Sequence, residues 1–369
     1  MRILLTGATG AIGSYLGPEF LKRGIEVFCL LRGEKPMERL LMVMSESACS
    51  QVKILTGDIT LPLGGVSPDN IRQLRGQFDQ AVHLAGSVAF DEDVAEETHA
   101  ANVGGTRHML ALAEALDIRR FCYTSSSFAL GESRNPYEKS KAEAEKLVRG
   151  WEHGEWQIQR PSIVVGDSRT GETNSWTGFY GYFSGFSWLK HNLWKLWRER
   201  GSFFCLQQGF AFDDDGNLVF EPKLLKIVYS LSSTLNLVPI DWLVGAMTDL
   251  IERGVANKAY DLANPSPSTL AWQFDVTFKM LGIRGIGQCD CLTGEAYFPS
   301  GSILREWQDN MYHRLGRYRP YVTHEDPAGC DALGGGPPDI DENFLGTMLK
   351  YAMATRFGHQ QKEQVTAAL

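Results

Sequence analysis

Three short stretches hold side chains whose types and spacing could do chemistry. In "RNPYEKSK", Tyr137 precedes Lys141 by four residues. Residues four apart lie on one face of a helix. Asn135 can cap such a helix, Pro136 suits its first turn, and Ala142, Ala144 and Leu147 continue it. The phenol and the ammonium are therefore expected to point the same way. A free tyrosine titrates near about 10, and a neighbouring ammonium favours the phenolate. Such a tyrosine could pass a proton to a developing alkoxide near neutral pH. Upstream lies "YTSSSFALG", which offers Ser125, Ser126 and Ser127 as exposed hydroxyls. Alone, Y-x-x-x-K also describes an ordinary pair on a solvated helix.

The second stretch is "LLTGATGAIG", with Gly7, Gly10 and Gly13 directly after an apolar run. Glycine allows a tight turn and a close backbone approach to a pyrophosphate, whose charge a helix N-terminus favours. The spacing is G-x-x-G-x-x-G, and the alternative is a turn that merely packs a helix. The third is "CLLRGEKPMERL". An acidic residue at the end of the second strand suits the ribose diol of NAD; an arginine suits a 2′-phosphate. Arg32 stands there, and Arg39 could supply a second cation. This favours NADPH over NADH, although Glu34 keeps NADH open. Asp58 in "TGDIT" is placed either to meet the adenine amino group or to cap its own turn.

The elements that must position these residues follow from the chain around them. "RILLTG", "EVFCLLR", "VKILTGD", "QAVHLAG", "RRFCYTSS", "WQIQRPSIVVG" and "KAYDLANP" read as buried strands. Between them lie helices at Ala11–Arg23, from Ser67-Pro68, along "NVGGTRHMLALAEAL", and from Tyr137. Strands alternating with helices predict a doubly wound parallel sheet of the Rossmann type. Further on, "LNLVPIDWLVGAMTDLIERG" reads as a short strand and then a helix capped by Asp241 and ended by Gly254. A last helix is expected from about Asp341 to Arg356, after "GGGPPD", with a frayed tail in "HQQKEQVTAAL". The expected division is a dinucleotide domain over 1–168 with later core strands near 234–265. A smaller, interleaved substrate-binding region would take 169–233 and 266–369.

Bulk properties narrow the classes. The 369 residues are 43% hydrophobic and 22% charged, enough to bury a sizeable core. A net charge of −8 argues against a general nucleic-acid binder. No apolar run is long enough to span a bilayer, and the strand-like residues after Met1 do not read as a signal peptide. The seven cysteines have no metal-ligand spacing, and Cys289-x-Cys291 is too tight for zinc. No metal is expected, and reduced thiols in the cytoplasm are.

With these motifs in order, the chain resembles the extended short-chain dehydrogenase/reductases over roughly residues 1–265, through "TGATGAIG", "GDIT", "HLAG", "NVGGT", "YTSSSFALG", "YEKSK" and "RPSIVVGDS". Within them it is most similar to fatty acyl reductases and carrier-protein thioester reductases, through "CLLRGEKPMERL", "GDITLPLGGVS", "VAFDEDVAEETHAANVGGTRHMLALAE" and "LNLVPIDWLVGAM". The resemblance implies a catalytic Ser126, with Ser125 and Ser127 as alternatives, a proton donor in Tyr137, and Lys141 on the nicotinamide ribose. Asn102 would brace the active-site strands. Gly7, Thr9, Gly10, Ala11, Ile12, Gly13, Arg32, Arg39, Asp58, Ile59, Leu84, Ala85, Gly86, Asn102, Pro161 and Ile163 would line the cofactor. The stretch between Ser126 and Tyr137 is shorter than in many extended members.

"SWTGFYGYFSGFSWLKHNLWKLWRERG" is dense in aromatics, with Leu189, Leu193, Leu196 and Trp197 at helical spacing and a cationic side of Lys190, His191, Lys195, Arg198 and Arg200. It suits either an acyl tunnel with a basic mouth, a packed lid helix, or a helix in peripheral contact with a membrane. The expected function is NADPH-dependent reduction of an acyl thioester, on CoA or acyl carrier protein, or of the aldehyde. Alternatives on the same fold are a nucleotide-sugar epimerase or dehydratase and a ketone or steroid-type dehydrogenase. A non-enzymatic sensor would commonly have lost Tyr137 or Lys141. The expected assembly is a monomer or homodimer.

Overall fold

The computed structural model describes residues 1–221, 225–228, 233–254, 256–289, 304–307 and 335–358. Cys291, Gly334 and the tail from His359 lie outside the described residues.

The chain divides into two compact units. The first comprises Met1–Val164 and Val238–Pro265, with a later short segment. Its strands are β1 (Arg2–Thr6), β2 (Glu26–Leu31), β3 (Lys53–Thr56), β4 (Gln80–His83), β5 (Arg120–Thr124) and β6 (Glu155–Pro161). The short β7 (Ile163–Val165) follows at the end of this run. β12 (Lys258–Leu262) completes a seven-stranded, all-parallel sheet in the order β12-β6-β5-β4-β1-β2-β3. The two-residue period divides each strand between two cores. Ile3, Leu5, Val27, Cys29 and Leu31 face α1 (Gly13–Lys22) and α9 (Ile240–Arg253). Leu4, Phe28, Leu30, Phe121 and Tyr123 face α6 (Gly105–Ala115) and α7 (Pro136–Arg149). The smaller helices α2 (Pro36–Leu41), α3 (Glu46–Cys49), α4 (Pro68–Leu74) and α5 (Ala95–His99) fill the crossovers, and Ser67 caps α4 as its sequence predicts.

The strand order reverses between β1 and β4. Loops at the carboxyl ends of these strands part there, which is where open parallel sheets take their ligands.

Two local expectations change. α9 starts at Ile240, with Pro239 at its N-cap and Asp241 inside the first turn. Asp241 therefore favours the helix dipole rather than capping its end. α1 begins at Gly13 rather than Ala11, because Gly10 and Ala11 belong to the turn after β1.

The second unit holds α8 (Phe179–Gln207), the short strands β8 (Phe210–Phe212), β9 (Leu218–Phe220) and β10 (Leu225–Val228), α10 (Leu270–Leu281), β13 (Ile283–Arg284), β14 (Ile286–Cys289) and α11 (Glu342–Ala354). β11 (Leu237–Pro239) leads into α9. The first half of α8 buries Phe179, Tyr180, Tyr182, Phe183, Phe186, Leu189 and Leu193. Phe186 meets Phe274 and Phe278 of α10 edge-on at 5.6 and 4.9 Å. Lys190 leaves the expected cationic side: its Nζ donates to the Leu281 carbonyl at 2.7 Å and the Gly282 carbonyl at 3.3 Å, covering the end of α10. Lys195, Arg198 and Arg200 stay exposed. Among the described residues no helix is long and apolar enough to cross a membrane, and no cluster of His, Cys, Asp and Glu could hold a metal.

Candidate active site

α7 places the tyrosine and lysine as its sequence predicts. Asn135 Oδ1 accepts from the Glu138 amide at 3.0 Å, and Pro136 opens the first turn. Tyr137 and Lys141 are both buried, 8% and 5% exposed. The serine tract differs from expectation: Ser125, Ser126 and Ser127 are all buried. Ser125 continues β5 through its amide to the Gln159 carbonyl, 2.8 Å. Ser126 is extended and accepts from the Phe128 amide at 3.2 Å, and its hydroxyl is near enough to the Tyr137 phenol to favour the phenolate. The short connection that follows is pinned to α7. Arg134 donates to the Glu138 carboxylate from its amide, Nε and Nη2 at 2.9, 3.1 and 2.7 Å.

The electrostatics also differ from the sequence reading. Burial raises the Tyr137 phenol above its ordinary value; the Ser126 hydroxyl opposes this and Glu138 adds to it. Burial pulls Lys141 down to about 8, with Glu145 opposing. The expected depression of the phenol by the ammonium does not appear; burial governs both groups. Lys141 Nζ donates to the Thr124 carbonyl at 3.0 Å and lies 4.9 Å over the Tyr123 ring.

Asn102 sits in a π-helical turn (Ala100–Gly104) between α5 and α6. Such turns often mark functional positions. Its Nδ2 donates to the Ser87 carbonyl at 3.0 Å and to Ser140 Oγ at 2.8 Å, and its Oδ1 accepts from the Ser87 amide at 2.7 Å. Ser140 in turn donates to the Tyr137 carbonyl at 2.8 Å. Asn102 therefore ties the loop after β4 to α7. A side chain at Gly86 would place its Cβ 2.5 Å from Asn102 Oδ1 and 3.6 Å from Lys141 Nζ, so only glycine lets this loop come so near.

The glycine loop meets the same place from β1. Gly7 has φ 76°, and a Cβ there would lie 2.7 Å from the Ala85 amide and 2.9 Å from the Leu84 carbonyl carbon. A Cβ at Gly13 would overlap the Gly7 carbonyl. Gly10 and Ala11 are exposed, with Thr9 and Ile12 half-buried beside them. The loop presents bare backbone above the N-terminus of α1. Backbone bare of side chains, the start of a helix, and a buried lysine nearby fit a nicotinamide dinucleotide.

At the other end, Arg32 is exposed after β2, and Arg39 Nη1 donates to its carbonyl at 3.0 Å. Asp58 Oδ1 accepts from the Thr60 amide at 2.9 Å and the Thr60 hydroxyl at 2.8 Å, so it caps its own turn. The Thr60 bonds and the charge of Arg32 hold its carboxyl below the usual range. Ile59 packs on Gly105, and its carbonyl accepts from His108 Nδ1 at 2.9 Å. Pro161 is buried opposite Leu262 at the end of β6, and Ile163 is half-buried in β7.

Sequence reasoning passed over three participants. Phe90 packs its ring 5.3 Å from that of Tyr137. His83, at the end of β4, shares a 2.7 Å hydrogen bond with Thr6 Oγ1, and burial with Lys141 nearby pulls it down to about 3. Glu145 lies one turn beyond Lys141 and is held by the buried Arg160. Its position four residues after the lysine was a signal available in "KSKAEAE".

These features define a Rossmann-type, dinucleotide-binding oxidoreductase fold. Residues 5–136 and 130–201 match the NAD-binding family described as "Male sterility protein", and the chain belongs to that family. Among curated relatives, the chain is similar to a glycine betaine reductase of Emericella nidulans (28% identical over 211 residues, 47% of this chain and 16% of that protein). It is also similar to the fatty acyl-CoA reductase wat of Drosophila melanogaster (26% over 192 residues, 46% and 37%) and to a UDP-glucose 4-epimerase of Klebsiella pneumoniae (29% over 147 residues, 38% and 100%). The chain spans less than two thirds of the length of the two reductases. Of solved structures, the terminal R domain of the myxalamid PKS-NRPS pathway superposes with a TM-score of 0.70 at 24% identity, covering 96% of this chain and 91% of that one. A thiolation-reductase di-domain from an archaeal non-ribosomal peptide synthetase gives 0.67 at 18% identity, covering 96% and 76%. The fold is that of the extended short-chain dehydrogenase/reductases.

Proposed function

We propose that the protein reduces an acyl thioester, carried on a phosphopantetheine arm of CoA or a carrier protein, with NADPH. The observation that carries this reading is the burial of Tyr137 and Lys141 on one face of α7, with the buried Ser126 beside the phenol. A bound nicotinamide supplies the hydride to the carbonyl carbon. Ser126 and Tyr137 hold the carbonyl oxygen by hydrogen bonds that strengthen as it gains charge. Tyr137, kept protonated by burial, then gives that oxygen its proton. The resulting hemithioacetal expels the thiol and leaves an aldehyde. Lys141, still cationic at neutral pH, holds the ribose and the site's positive potential. Gly7, Gly10 and Gly13 receive the pyrophosphate, with Thr9, Ala11 and Ile12 around it. Arg32, supported by Arg39, receives the 2′-phosphate. The substrate class draws on the fatty acyl-CoA reductase and the thiolation-reductase di-domain among the similar proteins.

The epimerase similarity supports a second reading, in which the same site oxidises and re-reduces a nucleotide sugar with no net use of cofactor. A single panel separates the two. NADPH and NADH oxidation is followed against acyl-CoAs, acyl carrier proteins, aldehydes, ketones and UDP-sugars. Thioester-dependent oxidation of NADPH is expected. Conversion of a UDP-sugar without cofactor consumption would move the assignment to an epimerase.

A further inference from the structure

Lys141 does not stand alone on its helix. Glu145 follows it by four residues on α7 and is buried with it. Both carboxylate oxygens of Glu145 are taken by Arg160 of β6, Oε1 by Nε at 2.8 Å and Oε2 by Nη2 at 2.6 Å. Arg160, 2% exposed, also reaches Asp261 of β12 at 3.3 Å. A line of buried charge thus runs from the catalytic helix through β6 to the edge of the sheet. We propose that Glu145, fixed by Arg160 and Asp261, is a positioning residue that keeps Lys141 protonated at the dinucleotide ribose. The inference rests on the Ser126–Tyr137–Lys141 reading above.

The groups around the pair leave Lys141 as the one that titrates in the working range. From β4, His83 is neutral, pulled down to about 3. From β5, Tyr123 is pushed well above its ordinary value, and the Thr124 carbonyl accepts from Lys141. On α7, burial raises Tyr137, and Arg149 stands 3.8 Å from Glu145. Arg160 stays cationic, its value raised by Glu145 and Asp261. Lys141 itself is brought down to about 8, and Glu145 is the charge that resists this. Without that carboxylate, the buried ammonium should lose its proton at lower pH.

The test is the pH profile of kcat/KM between pH 6 and 10, with NADPH affinity measured in parallel by quenching of tryptophan fluorescence. The wild-type profile should fall above about pH 8. In Glu145→Gln both the activity limb and the affinity limb should move down by at least half a pH unit. At pH 8 that is a loss of roughly twofold or more, approaching threefold at higher pH, with little change at pH 6.5. Glu145→Asp keeps the charge and should restore most of the limb. A loss equal at every pH would overturn the proposal, since that is what loosened packing alone would give. Should Glu145→Gln fail to fold, Glu145→Gln/Arg160→Gln removes two opposite charges together and must show a smaller move in the same direction; an unmoved limb there overturns the proposal as well. Lys141→Met separates the two levels. If it retains turnover, the role of Lys141 itself is wrong; if it is inactive while Glu145→Gln matches wild type, only the role of Glu145 is wrong.

Discussion

At Tyr137 two opposing effects decide the chemistry. Burial favours the neutral phenol, while the Ser126 hydroxyl nearby favours the phenolate, and burial prevails. In the proposed reaction the group is therefore an acid, suited to protonating an oxygen that has just received hydride. Tyr137→Phe keeps the ring against Phe90 and removes only the hydroxyl. Turnover should fall by a hundredfold or more, in line with the usual contribution of about 10²–10⁴ from general acid catalysis. NADPH affinity by fluorescence titration should stay within about twofold; retained turnover would mean another residue donates the proton. Arg32 and Arg39 belong to the opposite end of the proposed cofactor site. Because Arg39 is hydrogen-bonded to the Arg32 carbonyl, the two form one unit that fixes the strand end. Replacing both with glutamine should weaken NADPH at least tenfold, since charge-assisted bonds run to about 1.5–3 kcal/mol. NADH should hardly change, and equal losses for the two dinucleotides would show that neither arginine reads the phosphate.

Among the elements, the sheet and α7 were legible because their signals are local. Apolar runs ending in glycine gave the strands, and Asn135-Pro136 gave the start of α7. The π-helical turn at Asn102 was not legible, since it comes from contacts to Ser87 and Ser140 that are distant in sequence. Nor was the depth of the serine tract: three hydroxyls in a row read as exposed, yet all are buried in the turn that follows β5. Asp241 matched a capping residue type but lies two positions beyond the N-cap, inside the first turn. α8 shows the limit most clearly. Its aromatics read as an acyl channel, a packed lid helix or a membrane-surface helix, and the first half of the helix uses them as the second unit's own core. Phe183 is 1% exposed with its ring 4.2 Å from that of Phe179. Phe183→Ala should therefore cost about 3–5 kcal/mol of unfolding free energy. Trp194 is 41% exposed and meets Phe212 edge-on at 5.1 Å, so Trp194→Ala should lose only about 0.5–1.5 kcal/mol. Urea titrations of the two variants decide the point, and similar small losses would reopen the reading of α8 as a channel wall.

For the molecule as a whole, a site built from buried ionisable groups carries a cost in acid. His83 is 1% exposed and pulled down to about 3, so the folded protein binds fewer protons than the unfolded chain between about pH 6.5 and 3. Stability supported by its neutral form is complete above about pH 6.5 and is lost as pH falls toward 3, by up to about 4–5 kcal/mol. His83→Gln should remove this slope. The stability advantage of the wild type over the variant should hold constant above pH 6.5 and shrink by about 1.4 kcal/mol per pH unit below it; parallel curves in urea unfolding would mean that His83 does not set the acid limit. The central claim is that the assembled site delivers a hydride to a thioester carbonyl. It is tested most directly with NADPH deuterated at the transferring position of nicotinamide C4 and an acyl group loaded on a phosphopantetheine carrier. One deuterium should appear on the carbonyl carbon of the released aldehyde for each NADPH consumed. The absence of both deuterium transfer and thioester-dependent NADPH oxidation, across short and long acyl groups, would contradict the account.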